Sequence, residues 1–200
     1  MNITSPSPSS FWDANTRLLH LGLASLVTFE LLVSLIMQEP ESGRPLTGFG
    51  GTMLELHEWI GMAALAIVLL HWLWSLWGAA QGGVNHLFPW GRGDRVRLWQ
   101  ELRDLASLHL PPGGPEGRLS GFVHGLGLLA VTAMVLTGAV LFFGMPEESS
   151  RLTPLTETSE EIHEIFATIV WIYWGGHVAL AVLHEVLAHD GSLSRMFRLG

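Results

Sequence analysis

The chain has 200 residues, 48% of them hydrophobic, with a mean hydropathy of +0.37 and 18 acidic against 10 basic residues, for a formal charge of −8. That balance excludes a nucleic-acid-binding domain, which needs a basic surface. Cysteine is absent. Its absence excludes thiolate metal ligation, cofactor attachment through a Cys-x-x-Cys-His motif, iron–sulfur clusters and disulfides.

The apolar residues gather in blocks. Residues 1–11 carry a Ser/Pro-rich stretch with no basic residue, which predicts a disordered tail and argues against a cleaved signal peptide. The first apolar block is therefore expected to be retained. Residues 12–200 are expected to form one membrane domain, because four blocks (18–37, 60–78, 119–144 and 162–187) are near or above the ~20 residues a helix needs to cross a bilayer. The fold class is all-α, an integral membrane four-helix bundle.

Arginine sets the orientation, since the chain has no lysine. Arg92, Arg95, Arg97, Arg103 and Arg118 lie between the second and third blocks, and Arg17, Arg195 and Arg198 flank the chain's ends, whereas the opposite connections hold only Arg44 and Arg151. The positive-inside rule puts both termini and the middle loop in the cytoplasm. Within that loop, residues 94–108 have Leu98, Trp99, Leu102, Leu105 and Ala106 on one side and charges on the other. This pattern predicts a helix lying in the membrane interface or packed under the bundle. The acidic outer connections, with Glu39, Glu41, Glu147 and Glu148, read as a solvated rim or as a docking surface for a basic redox partner.

The histidines carry the chemistry. His57 and His71, and His163 and His177, are each fourteen positions apart in stretches that are largely apolar, so each pair shares a helix face with ~21 Å between its members. Imidazole in hydrocarbon is costly unless satisfied, and polar residues at that depth usually mark function. By topology His57 and His163 are near the outer face, and His20, His71, His124, His177 and His184 are toward the cytoplasm. Two levels of histidine in one membrane point to two stacked haems with paired axial ligands. A lone histidine on an apolar face is more often a hydrogen-bonded core residue, but recurrence at two matched depths weakens that alternative. A structural zinc site wants about four ligands at one point, and the outer level offers two imidazoles. Gly61, Ala167, Gly175 and Gly176 lie close to these histidines and leave room for a porphyrin or for close helix packing. Glu55, Glu58 and Glu164 flank the outer pair as possible partners of its rings. Glu30, mid-helix, faces the bundle or is protonated.

These residues together resemble the bacterial cytochrome b561 group and, through it, the cytochrome b subunits of nickel–iron hydrogenases and formate dehydrogenases. The likeness runs from Trp12 to Met196. It rests on Trp12-Asp13-Ala14-Asn15-Thr16-Arg17-Leu18-Leu19-His20, on Leu56-His57-Glu58-Trp59-Ile60-Gly61, on His163 followed by Gly176-His177, and on the tail from His184-Glu185 through Leu193-Ser194-Arg195-Met196. Leu21 departs from the tryptophan the group often carries there. The resemblance implies a multi-pass protein of the bacterial inner membrane with two haems b. His57 and His163 would hold the outer one and His20 and His177 the inner one, with His71 as the alternative inner ligand suggested by spacing. It also implies a quinone, ubiquinone or menaquinone, near the cytoplasmic side, where His184, His124 and Arg17 are candidate contacts, Arg17 for a haem propionate as much as for quinone.

The function expected is electron transfer through two b haems between quinone and an outer-side redox protein, a dehydrogenase subunit or a small oxidant or reductant. The enzymatic version is superoxide oxidation coupled to quinone reduction. The rival from another class is a haem-free transporter or metal-binding bundle, for which four helices leave little room for inverted repeats.

Overall fold

The structure, a computed structural model, describes residues 12–38, 47–77, 83–112, 117–144, 153–188 and 192–197. The expected N-terminal tail and most of the acidic outer connections lie outside the described residues. In chain order the helices are α1 (Ala14–Ser34), α2 (Gly48–Leu76), α3 (Gly83–Leu87), α4 (Arg92–Ala106), α5 (Arg118–Gly144) and α6 (Pro154–Leu183), followed by a π-helical turn at His184–Ala188 and α7 (Ser192–Phe197). Among the described residues, α1, α2, α5 and α6 with its continuation are the four helices long and apolar enough to cross a membrane.

The two spans that carry paired histidines begin earlier than hydropathy predicts: α2 at Gly48 rather than residue 60, and α6 at Pro154 rather than residue 162. Hydropathy reports depth in the bilayer, whereas these first turns are polar helix that continues beyond the hydrocarbon. At α6, Thr153 caps the end by accepting from the Thr156 amide at 3.2 Å, and Pro154 occupies a position where its missing N–H costs nothing. His57 and His163 therefore sit well inside their helices rather than at their starts.

The start of α1 is fixed by Asp13, whose carboxylate accepts from the Thr16 amide at 2.8 Å and from its hydroxyl at 2.6 Å. This satisfies amides that the first helical turn would otherwise leave orphaned. Thr16 Oγ1 in turn accepts from Trp74 Nε1 of α2 at 3.1 Å. Two further tryptophan–threonine bonds tie the spans: Trp72 Nε1 to Thr132 Oγ1 at 3.0 Å joins α2 to α5, and Trp174 Nε1 to Thr28 Oγ1 at 2.9 Å joins α6 to α1. Lipid gives no hydrophobic drive between helices, so packing and bonds of this kind, worth ~0.6 kcal/mol on average, hold a bundle together. Large apolar side chains such as Leu32, Leu69, Leu129, Ile165 and Ile172 accordingly face outward, and the buried core is built from smaller ones, including Ala64, Val68, Val131, Val135 and Val170.

Direct packing runs α1 to α2, α2 to α5 and α5 to α6; α1 and α6 have no comparable backbone packing and meet through long side chains. Gly127 on α5 is required by a close approach, since a Cβ there would collide with the Tyr173 ring of α6.

The expected middle-loop helix is α4, and it packs under the bundle at the head of α5. Its Glu101 carboxylate, 8% exposed, accepts from the Arg118 amide at 3.1 Å and the Leu119 amide at 2.6 Å, and Asp94 pairs with Arg118 Nε at 3.0 Å. A carboxylate there satisfies orphan amides and opposes the positive end of the α5 dipole. The apolar side of α4 is thus not a continuous buried stripe, because Trp99 is 60% exposed while the acid Glu101 is inside.

Candidate functional site

At one level, His57 on α2 and His163 on α6 bring their rings to 6.2 Å between centres, with planes at 84°. Thr137 on α5 donates its hydroxyl to the backbone carbonyls of Ala133 at 2.8 Å and Met134 at 3.0 Å, so its oxygen accepts from His163 Nδ1 at 3.0 Å. On the other ring, Nδ1 meets the Glu30 carboxylate of α1. Each ring thus has Nδ1 engaged and Nε2 left to act as a ligand. Of the sequence-adjacent acids, Glu55 and Glu164 are exposed, and Glu58 is half-buried with an electrostatic interaction with His57.

At the other level, three imidazoles converge. One nitrogen each from His20 (α1), His124 (α5) and His177 (α6) lie within 4.8 Å of one another. The ring centres of His20 and His177 are 6.1 Å apart, those of His20 and His124 5.8 Å, and those of His124 and His177 5.0 Å. His124 donates Nδ1–H to the Ser120 carbonyl at 2.7 Å, and Tyr173 stacks on His177 at 5.5 Å and 16°. His71 is outside the three-histidine cluster. It lines a cavity together with Trp12, His20, Ser75, His86 and His124, and its Nδ1 is 3.4 Å from Ser75 Oγ.

The donor set fits haem iron. Imidazole nitrogens bind metals at ~2.0–2.1 Å, so two rings on opposite sides of one metal have centres roughly 6 Å apart. His57 with His163 and His20 with His177 both meet that spacing; His124 with His177 is too close. His20 with His124 nearly meets it, which makes His124 the competing inner imidazole. Room beside the ligands is also present, because a Cβ built on Gly61, Gly175 or Gly176 would meet nothing within 4 Å.

Arg17 precedes His20 by about one turn and is 7% exposed. His184 follows His177 and opens the π-helical turn. Sequence reading missed His86, a loop residue by pattern. On α3 it is 3% exposed, with its ring 5.3 Å from that of Trp12 and its Nε2 without a hydrogen-bond partner among the described residues. Burial, helped by His124 and Arg118, pushes its pKa down to about 4. The available signal was a histidine next to leucine and phenylalanine in a loop otherwise rich in glycine and arginine.

Four helices long and apolar enough to cross a membrane, with imidazole pairs at two levels, fit a membrane cytochrome of the b type. The chain belongs to the prokaryotic cytochrome b561 family, whose model matches residues 11–199. No curated protein and no solved structure gives a significant match. Membership makes this a multi-pass prokaryotic membrane protein that uses haem b for transmembrane electron transfer.

Proposed function

We propose that the chain holds two haems b, the outer one between His57 and His163 and the inner one between His20 and His177, and passes electrons between quinone at the cytoplasmic side and a redox partner outside. The observation that carries this reading is the pair of ring separations, 6.2 Å and 6.1 Å, at two depths of one bundle. Bound iron supplies one-electron oxidation and reduction; the chain supplies spacing, orientation and access. Helix α6 contributes to both sites, and the ~21 Å between His163 and His177 along its axis sets the distance between levels.

The arginines of the middle loop and of the chain's ends support a cytoplasmic position for the His20–His177 level. Arg17, buried beside that level, is the natural partner of a haem propionate. His184 is the quinone contact: its backbone opens a π-helical turn, a deformation common at functional sites. His124 is a second candidate donor, positioned by its bond to Ser120.

The test is reduction of the purified haem-loaded protein by a short-chain quinol in a stopped-flow spectrometer. The expected result is the appearance of the reduced b-haem bands of both centres. Haems that dithionite reduces and quinol does not would overturn the quinone assignment.

A further inference from the structure

Glu30 is ten residues beyond His20 on α1, four residues before that span ends at Ser34, and its side chain is only 14% exposed. A carboxylate at that depth is costly unless something compensates it. Its Oε2 meets His57 Nδ1, and among the described residues neither carboxylate oxygen makes a hydrogen bond to any other group. The contact joins α1 to α2 at the outer level, although α1 contributes no imidazole there. The other outer ring, that of His163, has a neutral hydroxyl acceptor in Thr137. At the inner level, His20 Nδ1 is buried with neither a hydrogen-bond partner nor a paired carboxylate among the described residues.

We propose that Glu30 is a positioning residue for the outer haem: its carboxylate accepts the Nδ1 proton of His57, fixes Nε2 as the ligating nitrogen, and lowers the haem's reduction potential. The proposal rests on the reading that His57 is an axial ligand. A carboxylate acceptor holds the imidazole in one tautomer and orientation and raises its basicity. Electron density moved toward the metal favours the ferric over the ferrous state, and hydrogen bonding around an axial ligand is one of the levers by which a protein sets haem potential. Burial strengthens the effect, since the two side chains are only 19% and 14% exposed and a hydrogen bond in a low dielectric polarises its partner more than one in water. The partner is distant in sequence; of the acids adjacent to the outer histidines, Glu55 and Glu164 are exposed, and Glu58 is half-buried and adds its own electrostatic interaction with His57.

The experiment is a potentiometric titration of the holoprotein, followed optically and by low-temperature electron paramagnetic resonance, on the unaltered chain, Glu30→Gln, Glu30→Asp and His57→Ala. Glu30→Gln is expected to keep two haems, raise the potential of the outer one alone and move its low-spin signal; Glu30→Asp is expected to restore part of both. Unchanged outer potential and signal in Glu30→Gln at full haem content would overturn the proposal. Should Glu30→Gln fail to fold or to load, the unaltered protein still decides. The near-infrared charge-transfer band of its ferric outer haem must lie at higher energy than that of the inner haem, as imidazolate character requires, and coincident bands would overturn the proposal. Retention of the outer haem by His57→Ala would instead overturn the ligand reading itself, so the two failures are distinct.

Discussion

The rings of His20 and His177 stand 6.1 Å apart, within 0.1 Å of the separation of His57 and His163. His71, which shares a helix face with His57, is not drawn into the cluster that His20 and His177 form with His124. His20→Ala is therefore expected to lose the inner haem or convert it to a high-spin form, and His71→Ala to keep it low-spin. The opposite pattern, scored by haem content and the low-spin bis-histidine signal, would return the ligand role to His71.

The outer pair shares only helix backbones with the inner pair. His57→Ala and His163→Ala should each lower the haem content from about two to about one per chain, with the remaining haem keeping the spectrum of the inner site. Loss of both haems from a protein with intact helical circular dichroism would show that the levels are not independent.

His184→Ala is expected to retain both haems and slow their reduction by quinol about fivefold, the rate equivalent of one hydrogen bond worth ~1 kcal/mol. Equal rates at equal haem content would make His184 a structural residue of the π-helical turn.

Acid should destabilise the fold partly through His86. Burial chiefly, with His124 and Arg118 adding to it, holds its pKa at about 4 in the folded protein against about 6.5 unfolded. The unfolded chain binds the proton first as pH falls, so stability is unaffected above pH ~6.5 and decreases between pH ~6.5 and ~4, by up to about 3 kcal/mol. His86→Leu should show a smaller drop in thermal midpoint from pH 7 to pH 5 than the unaltered protein in the same detergent. An equal drop would remove His86 from the acid response.

Much of this architecture was legible because membrane burial leaves a coarse mark: runs of apolar residues give the spans, arginine gives the sides, and a fourteen-residue repeat of histidine on α2 and α6 gives two depths. Helix extent was less legible, because Gly48 to Trp59 and Pro154 to Glu161 are helical yet too polar for hydropathy to count. Pairing across helices was least legible. Local spacing favoured His71 for the inner site, and adjacency favoured Glu55, Glu58 and Glu164 as partners of the outer imidazoles, whereas the contacts come from His20 and Glu30 on α1. The burial of His86 and Glu101 depends on how the middle loop folds back against α5, and no periodicity within that loop specifies it.

Two imidazole pairs that each hold one non-covalent haem b fix both the number and the chemistry of the haems. A pyridine haemochrome assay with acid–acetone extraction, performed on the purified and fully loaded protein, tests this most directly. Two haems per chain, both of the b type and both extractable, are expected. A stoichiometry of one, or haem that resists extraction, would contradict it.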